Sequence, residues 1–196
     1  MEFQRVIERR RMVRSFHDRP VAKAVVERIL SNATRAPSAG FSQGWGFLAL
    51  TEPADRERFW DAAWPRGERG ESNRRGVMRA GLIVLPCANK QAYLDRYAEP
   101  DKGWTDRDED RWPVPYWTVD TAFATMTMLL TVADEGLGAL FFGLRHERDV
   151  KDAFGIPAEL EPIGAIAAGH AAADEPSLSL SRGRRPASAV IRRRRW

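Results

Sequence analysis

The sequence predicts a single domain of alternating helices and strands, and three observations carry that expectation. Apolar residues recur at helical spacing through Ala22, Val25, Val26, Ile29, Leu30 and Ala33. Short continuous apolar runs, FLAL at 47 to 50, GLIVLP at 81 to 86 and ALFFG at 139 to 143, have the length of buried strands. No internal repeat and no Ser/Gly-rich linker divides the 196 residues, so one domain spanning 1–196 is expected.

Taken in order, Phe3, Val6, Ile7 and Arg10 share one face of a first helix, with Arg14 one turn further along. The amphipathic helix of Ala22 to Ala33 follows Pro20. After the FLAL strand, residues 54 to 62 read as a helix, GLIVLP as the clearest strand and Lys90 to Tyr97 as a short helix. Residues 118 to 135 are apolar on almost every side, which places a helix at the centre of the fold. Gly136 and Gly138 end it, ALFFG forms a strand, HERDVKDAF a helix stopped by Gly155 and Pro157, and IGAIAAGH at 163 to 170 a further strand. A polar, basic tail at 171–196 wraps over a surface.

Residues 98–117, AEPDKGWTDRDEDRWPVPYW, fit no periodic element. Trp104, Trp112, Tyr116 and Trp117 suit a lid-like excursion over a flat substrate, because rings offer large stacking area. They suit equally a surface excursion whose rings pack back onto the body or onto a partner subunit.

The start, MEFQRVIERRRMVR, has no apolar signal region, and no apolar run approaches the roughly 18 residues of a membrane span. A soluble cytoplasmic protein without membrane partners is expected. Cys87 is the only cysteine, which excludes an intrachain disulfide and a cysteine-based zinc site and points to a buried thiol beside a strand. His17, His146 and His170 form no HxxxH pair, and Asp106, Asp108, Glu109 and Asp110 lack the Gly and Glu spacing of a calcium loop, so no metal is expected. There is no phosphate loop of the Walker type, no GxGxxG and no GxSxG.

The net charge is +4, yet residues 182 to 196 hold seven Arg and no acid, which leaves about −3 for the rest. A second basic run, Arg5, Arg9, Arg10, Arg11 and Arg14, lies at the other terminus. Two such clusters can be solvated faces, a nucleic-acid footprint or two halves of one anion site. An inward Arg10 needs an anionic partner because a guanidinium does not shed its proton; an internal carboxylate and a phosphate both satisfy that demand. Arg182, Arg184 and Arg185 would complete a phosphate site if the tail folds back beside the first helix.

The order RRRMVRSFHDRPV (9 to 21), an amphipathic helix, APSAGFSQGWGF (36 to 47), a buried helix ending EGLGALFFGL (135 to 144), GIPAE (155 to 159), GAIAAGH (164 to 170) and SRGRRP (181 to 186) resembles the FMN-dependent nitroreductase family. The resemblance implies an α+β fold, with a mixed, mainly antiparallel sheet flanked by helices, assembled as an intertwined homodimer with a flavin at each interface. It implies that Arg10, Arg11 and Arg14 meet the FMN phosphate, with Arg182 and Arg184 closing the site. Pro37, Ser38, Ala39, Gly40 and Phe41 would lie along the flavin of the partner subunit. Asn73, with Arg75 as a looser candidate, would read the pyrimidine edge, and the backbone at Phe142 and Gly143 would approach flavin N5.

The implied activity is an NAD(P)H oxidoreductase, NADH or NADPH delivering hydride to the flavin and a nitroaromatic, quinone or related small-molecule acceptor then taking the electrons in a ping-pong cycle. No side chain acts as nucleophile in that scheme. The chain departs from the family pattern at Met12, where many relatives carry Ser; at Phe41, where many carry Asn; at Gly44, where Pro is usual; and at Phe142, where some carry an acid. A specialised reaction of the same flavin fold (dehalogenation, oxidation or flavin fragmentation) is the alternative. A nucleic-acid-binding protein acting through IRRRRW at 191 to 196 is a non-enzymatic one.

Overall fold

A computed structural model of the chain describes residues 2–64, 72–174 and 177–195; the side chains of residues 72–74 also lie outside the described part. Eight α-helices are seen among these residues: α1 (Phe3–Arg9), α2 (Lys23–Ala33), α3 (Pro53–Ala63), α4 (Ser72–Val77), α5 (Lys90–Ala98), α6 (Tyr116–Asp134), α7 (Glu147–Phe154) and α8 (Ala187–Val190). Five strands accompany them: β1 (Trp45–Leu50), β2 (Leu82–Asn89), β3 (Gly138–Phe142), β4 (Leu160–Pro162) and β5 (Ala165–Gly169). The strand order is β1-β2-β5-β3, with β4 also on β2, and every strand pair is antiparallel. An isolated parallel bridge joins Met12 to Ala139 at the β3 edge. The α+β architecture expected of the sequence is thus the one observed.

Period-two side-chain alternation divides the core into two layers. Ile83, Leu85 and Cys87 of β2 and Ala165 and Ala167 of β5 face Phe59, Trp60 and Val150 from α3 and α7. Leu82, Val84, Ile166 and Ala168 face Val26, Ile29, Met128 and Val132 from α2 and α6. Strand β2 is buried on both faces, which is why its sequence reads as a continuous apolar run. Its Pro86 is tolerated because pairing changes there: residues 82–84 pair with β5 and residues 87–89 with β4. A missing N–H costs least at such a junction.

Local chemistry sets several boundaries. Pro53 starts α3 at its first turn, the Asn89 side chain accepts the Ala92 N–H to cap α5, and Gly155 closes α7 in the left-handed region at φ 60°. One expectation is corrected. Helix α1 ends at Arg9, Arg10 is already extended (φ −60°, ψ 117°), and only Val6 of the apolar stripe is buried. Arg10 and Arg14 therefore do not share a helical face; they lie four residues apart on an extended segment in which the Val13 N–H donates to Ala139. Helix α4 and the short strand β4 were absent from the sequence expectation, having too few apolar residues for a period to show. The basic tail includes residues 175, 176 and 196, which lie outside the described residues.

The rings of the 98–117 segment meet one another and α5. Trp112 packs against Tyr97 at 4.5 Å, Trp104 at 5.4 Å, Tyr93 at 5.9 Å and Trp117 at 6.0 Å between centroids. The acids of this segment pair locally, Asp106 with Arg111 and Glu109 with Lys90, while Asp108 accepts the Asp110 N–H.

Candidate functional site

The two basic runs come together in one concave region. A cavity of about 640 Å³ is lined by Arg10, Arg11, Met12 and Arg14 from the extended segment after α1, and by Asp174, Ser177, Ser179, Leu180, Gly183 and Arg184 from the tail. Arg10, Arg11 and Met12 also line an adjoining cavity of about 310 Å³ that reaches the C-terminal end of α6 and the start of β3. The extended segment is held in place by sheet contacts rather than helix packing. Met12 bridges Ala139, Phe16 bridges Ala171, and the Phe16 N–H donates to Gly76 at 3.2 Å. At Gly76 an added Cβ would stand 2.8 Å from the Arg14 carbonyl oxygen, so glycine lets α4 approach this segment.

Among the described residues, none of the guanidinium groups of Arg10, Arg11, Arg14 and Arg184 has a carboxylate within salt-bridge distance. The acid in the cavity wall, Asp174, is used otherwise: its carboxylate accepts the Arg14 backbone N–H at 2.6 Å and ties the tail to the segment. Four cations facing one space repel one another, and an anion entering that space relieves the repulsion. Arg182 is brought near in sequence but not into the wall; it ends a short turn, Leu178–Arg182, and is exposed.

The Pro37–Phe41 segment lies elsewhere. A 3-10 turn, Ala39–Phe41, sits against α5 and the start of α6. Its backbone is unusual: Gly40, Phe41 and Gln43 all have positive φ, at 61°, 57° and 50°. Phe41 is 75% exposed, so nothing in the chain buries the ring that bears this strain. The turn is fixed from below. Asp120 accepts the Ala39 N–H and the Tyr93 O–H, each at 2.8 Å; Arg96 Nε donates to the Gly40 carbonyl at 2.9 Å; and the Ser38 hydroxyl accepts the Gln43 N–H at 3.0 Å. Gly40 has no alternative, because a Cβ there would stand 2.6 Å from the Tyr97 ring. Burial, and next the Asp120 hydrogen bond, push the Tyr93 phenol well above its ordinary range.

Helix α6 separates the two regions. Asp120 supports the turn at one end, Val132 and Ala133 line the smaller Arg-walled cavity at the other, and twelve residues of helix span about 18 Å. The turn residues line neither Arg cavity of their own chain. Phe142 and Gly143 close β3, with Gly143 exposed. The Phe142 ring is committed to the core, stacked on Trp60 at 5.8 Å and tilted on Trp64 at 5.4 Å, so only its backbone is open to another use. Asn73 lies in α4, its side chain outside the described residues, and Arg75 of that helix is exposed.

Other reactive groups are quiet. Cys87 is buried in β2, and burial pushes its thiol up to about 12, so it carries no thiolate at neutral pH. Among the described residues no group of three His, Cys, Asp or Glu side chains could hold a metal ion, and no helix is long and apolar enough to cross a membrane. Asp120, Tyr93, Arg96 and Asp174 were not anticipated. Asp120 left a signal, an acid near the start of a largely apolar helix; the other three had none.

A helix-flanked antiparallel sheet carrying an Arg-lined cavity and a clamped turn defines an α+β protein. Comparison with known proteins gives the family. The profile of the Nitroreductase family matches residues 7–170. A protein of Archaeoglobus fulgidus, whose name provisionally assigns it as an NADH dehydrogenase/NAD(P)H nitroreductase, is 26% identical over 86% of this chain and 85% of its own. An iodotyrosine deiodinase of Haliscomenobacter hydrossis is 32% identical over 62 residues, 32% of this chain and 28% of that protein. The crystal structure of a nitroreductase family protein from Streptococcus pneumoniae superposes with a TM-score of 0.76 at 20% identity, covering 98% of this chain and 100% of that one. The chain belongs to the nitroreductase family, a family of oxidoreductases that generally depend on flavin.

Proposed function

We propose that this chain is a cytoplasmic FMN-dependent NAD(P)H oxidoreductase that reduces nitroaromatic, quinone or related electron acceptors. The observation that carries the reading is the convergence of Arg10, Arg11, Arg14 and Arg184, whose guanidinium groups have no carboxylate partner among the described residues, around a cavity of about 640 Å³. Such a volume is in the range of small-molecule sites, roughly 300–1,000 Å³. A phosphate monoester is the anion that several converging guanidinium forks match best, through charge-assisted, paired hydrogen bonds. Those four residues hold the phosphate, and Arg182 adds to the positive field from outside the wall.

Pro37, Ser38, Ala39 and Phe41 contact the flavin ring system, Asn73 and Arg75 read its pyrimidine edge, and the backbone at Phe142 and Gly143 approaches its hydride-accepting atom. Because the turn and the Arg cavity stand at opposite ends of α6, one flavin uses the Arg cavity of one subunit and the turn of its partner. When bound, the flavin supplies the two-electron chemistry, taking hydride from NADH or NADPH and passing the electrons to the acceptor. The side chains of this protein bind, orient and shield, and none acts as a nucleophile.

The purified protein is expected to show flavin absorbance, to release FMN on denaturation, and to bleach with NADH or NADPH. Failure to take up flavin after reconstitution would overturn the reading. Arg10→Ala and Arg184→Ala are each expected to weaken FMN binding by about tenfold or more, by titration of flavin fluorescence. Unchanged affinity in both would remove the phosphate assignment. The deiodinase-like segment favours a second reading, in which the same site removes halide from an aromatic ring. Iodide release from an iodinated phenol, faster than reduction of a nitroaromatic, would select it.

A further inference from the structure

Asp120 holds an unusual position for a carboxylate. It is 3% exposed, sits on the second turn of α6, and among the described residues has no cationic partner. Its hydrogen-bond partners are two neutral donors, the Ala39 N–H and the Tyr93 O–H. A buried carboxyl is a costly group to place in a core, so its position here calls for partners that use it. The two hydrogen bonds converge on one atom, Oδ2, so a single carboxyl oxygen anchors both the turn and the Tyr93 side chain.

The anchored element is the strained one. Gly40 and Phe41 are consecutive left-handed residues, a conformation that persists only where its surroundings over-determine it. Asp120 grips the turn just before the strain, at Ala39; Arg96 grips it at the Gly40 carbonyl; and the Tyr97 ring closes the space beneath Gly40. Arg96 is itself fixed by a bidentate pair with Asp101, at 2.7 and 2.8 Å, so the α5 side of the clamp is preset too. Helix α6, which supplies Asp120, also lines the smaller Arg cavity further along, so one rigid element sets both regions.

We propose that Asp120 is a positioning residue for flavin recognition: through Ala39 it fixes the Pro37–Phe41 turn in the shape that meets the flavin ring, while the Arg cavity grips the phosphate independently. This rests on the turn facing the flavin and adds the residue that enforces its shape. The ligand it serves is the isoalloxazine ring and not the phosphate.

The test uses the full-length protein reconstituted with FMN, in the wild type and in Asp120→Asn, Asp120→Ala and Tyr93→Phe. Asp120→Ala is expected to weaken FMN binding by about tenfold, and Asp120→Asn, which keeps one acceptor oxygen for Ala39, by less. At saturating FMN both should shift the visible absorbance bands and partly restore flavin fluorescence, since the ring environment has changed. Inorganic phosphate should compete for the Arg cavity with unchanged affinity in every variant. Tyr93→Phe leaves the Ala39 hydrogen bond in place, is the variant least prone to misfold, and should give a smaller change of the same sign. Wild-type spectra and affinity in the folded Asp120 variants and in Tyr93→Phe would overturn the proposal. Parallel loss of phosphate and FMN affinity would also overturn it, by showing a general structural role. A wild type that binds no FMN would instead sink the flavin reading itself, and the two failures are distinguishable.

Discussion

At the scale of single residues, Phe41 shows what a departure from a family pattern means physically. Where the resemblance to the nitroreductase family leads one to expect Asn, this chain places Phe at φ 57° with its ring 75% exposed. Asn is enriched several-fold in left-handed backbone, because its short polar side chain bonds locally, whereas Phe gains nothing there. The ring contributes little burial within the chain, so Phe41→Asn should stabilise the flavin-free protein by about 1 kcal/mol, a rise in melting temperature of about 2–4 °C for a chain of this size. Calorimetry of apo-protein checks this. A fall in melting temperature would mean that the ring is buried against a partner and not strained in the free turn. Residues kept in strained conformations cluster where function holds them, so the same ring is the first place to look for substrate preference.

Among the elements, what was legible in the sequence and what was not have separate causes. Helices α2 and α6 and strands β2, β3 and β5 were read from apolar periodicity and run length, because each buries a continuous face against the two core layers. The end of α1 was misread because Phe3 and Ile7 look like a buried stripe but lie exposed, so spacing alone carried the helix past its true end at Arg9. In the candidate site, the Arg residues were visible as charge clusters, and their meeting followed from the tail folding back, as Arg184 does. The Asp120 clamp was not visible, because an Asp at position 120 finds its partners at 39 and 93 through tertiary contact. The tail itself divides in two. Arg184 lines the cavity, while Arg192 to Arg195 lie beyond α8 and line no part of it. Truncation after Val190 should therefore leave FMN affinity within about twofold, the scatter of surface changes. A strong loss would show that the last residues bear on the flavin site, and retention of any salt-sensitive nucleic-acid binding after truncation would place that binding elsewhere.

For the whole molecule, the issue is how the proposed flavin site is completed when its two parts stand about 18 Å apart along α6. Apolar side chains stand exposed on the outer surfaces of the packed pair α1 and α6: Phe3 and Ile7 on the former, Phe123 (47% exposed) and Met126 on the latter. Exposed apolar groups gathered on neighbouring elements mark an interaction surface. On the function proposed above, a second copy of the chain covers them and brings a turn to each Arg cavity. Phe123→Glu puts a charge into that face while altering little inside the monomer, where a surface change of this kind costs within about 0.5 kcal/mol. In the dimer it buries an unpaired carboxylate in each subunit, a penalty large enough to dissociate it. Light scattering should report a dimer for the wild type and a monomer for Phe123→Glu, with flavin lost in step with the mass while inorganic phosphate still binds the Arg cavity. A monomeric wild type that holds FMN tightly would show that one chain completes the site alone, and the division of the flavin between subunits would then be wrong.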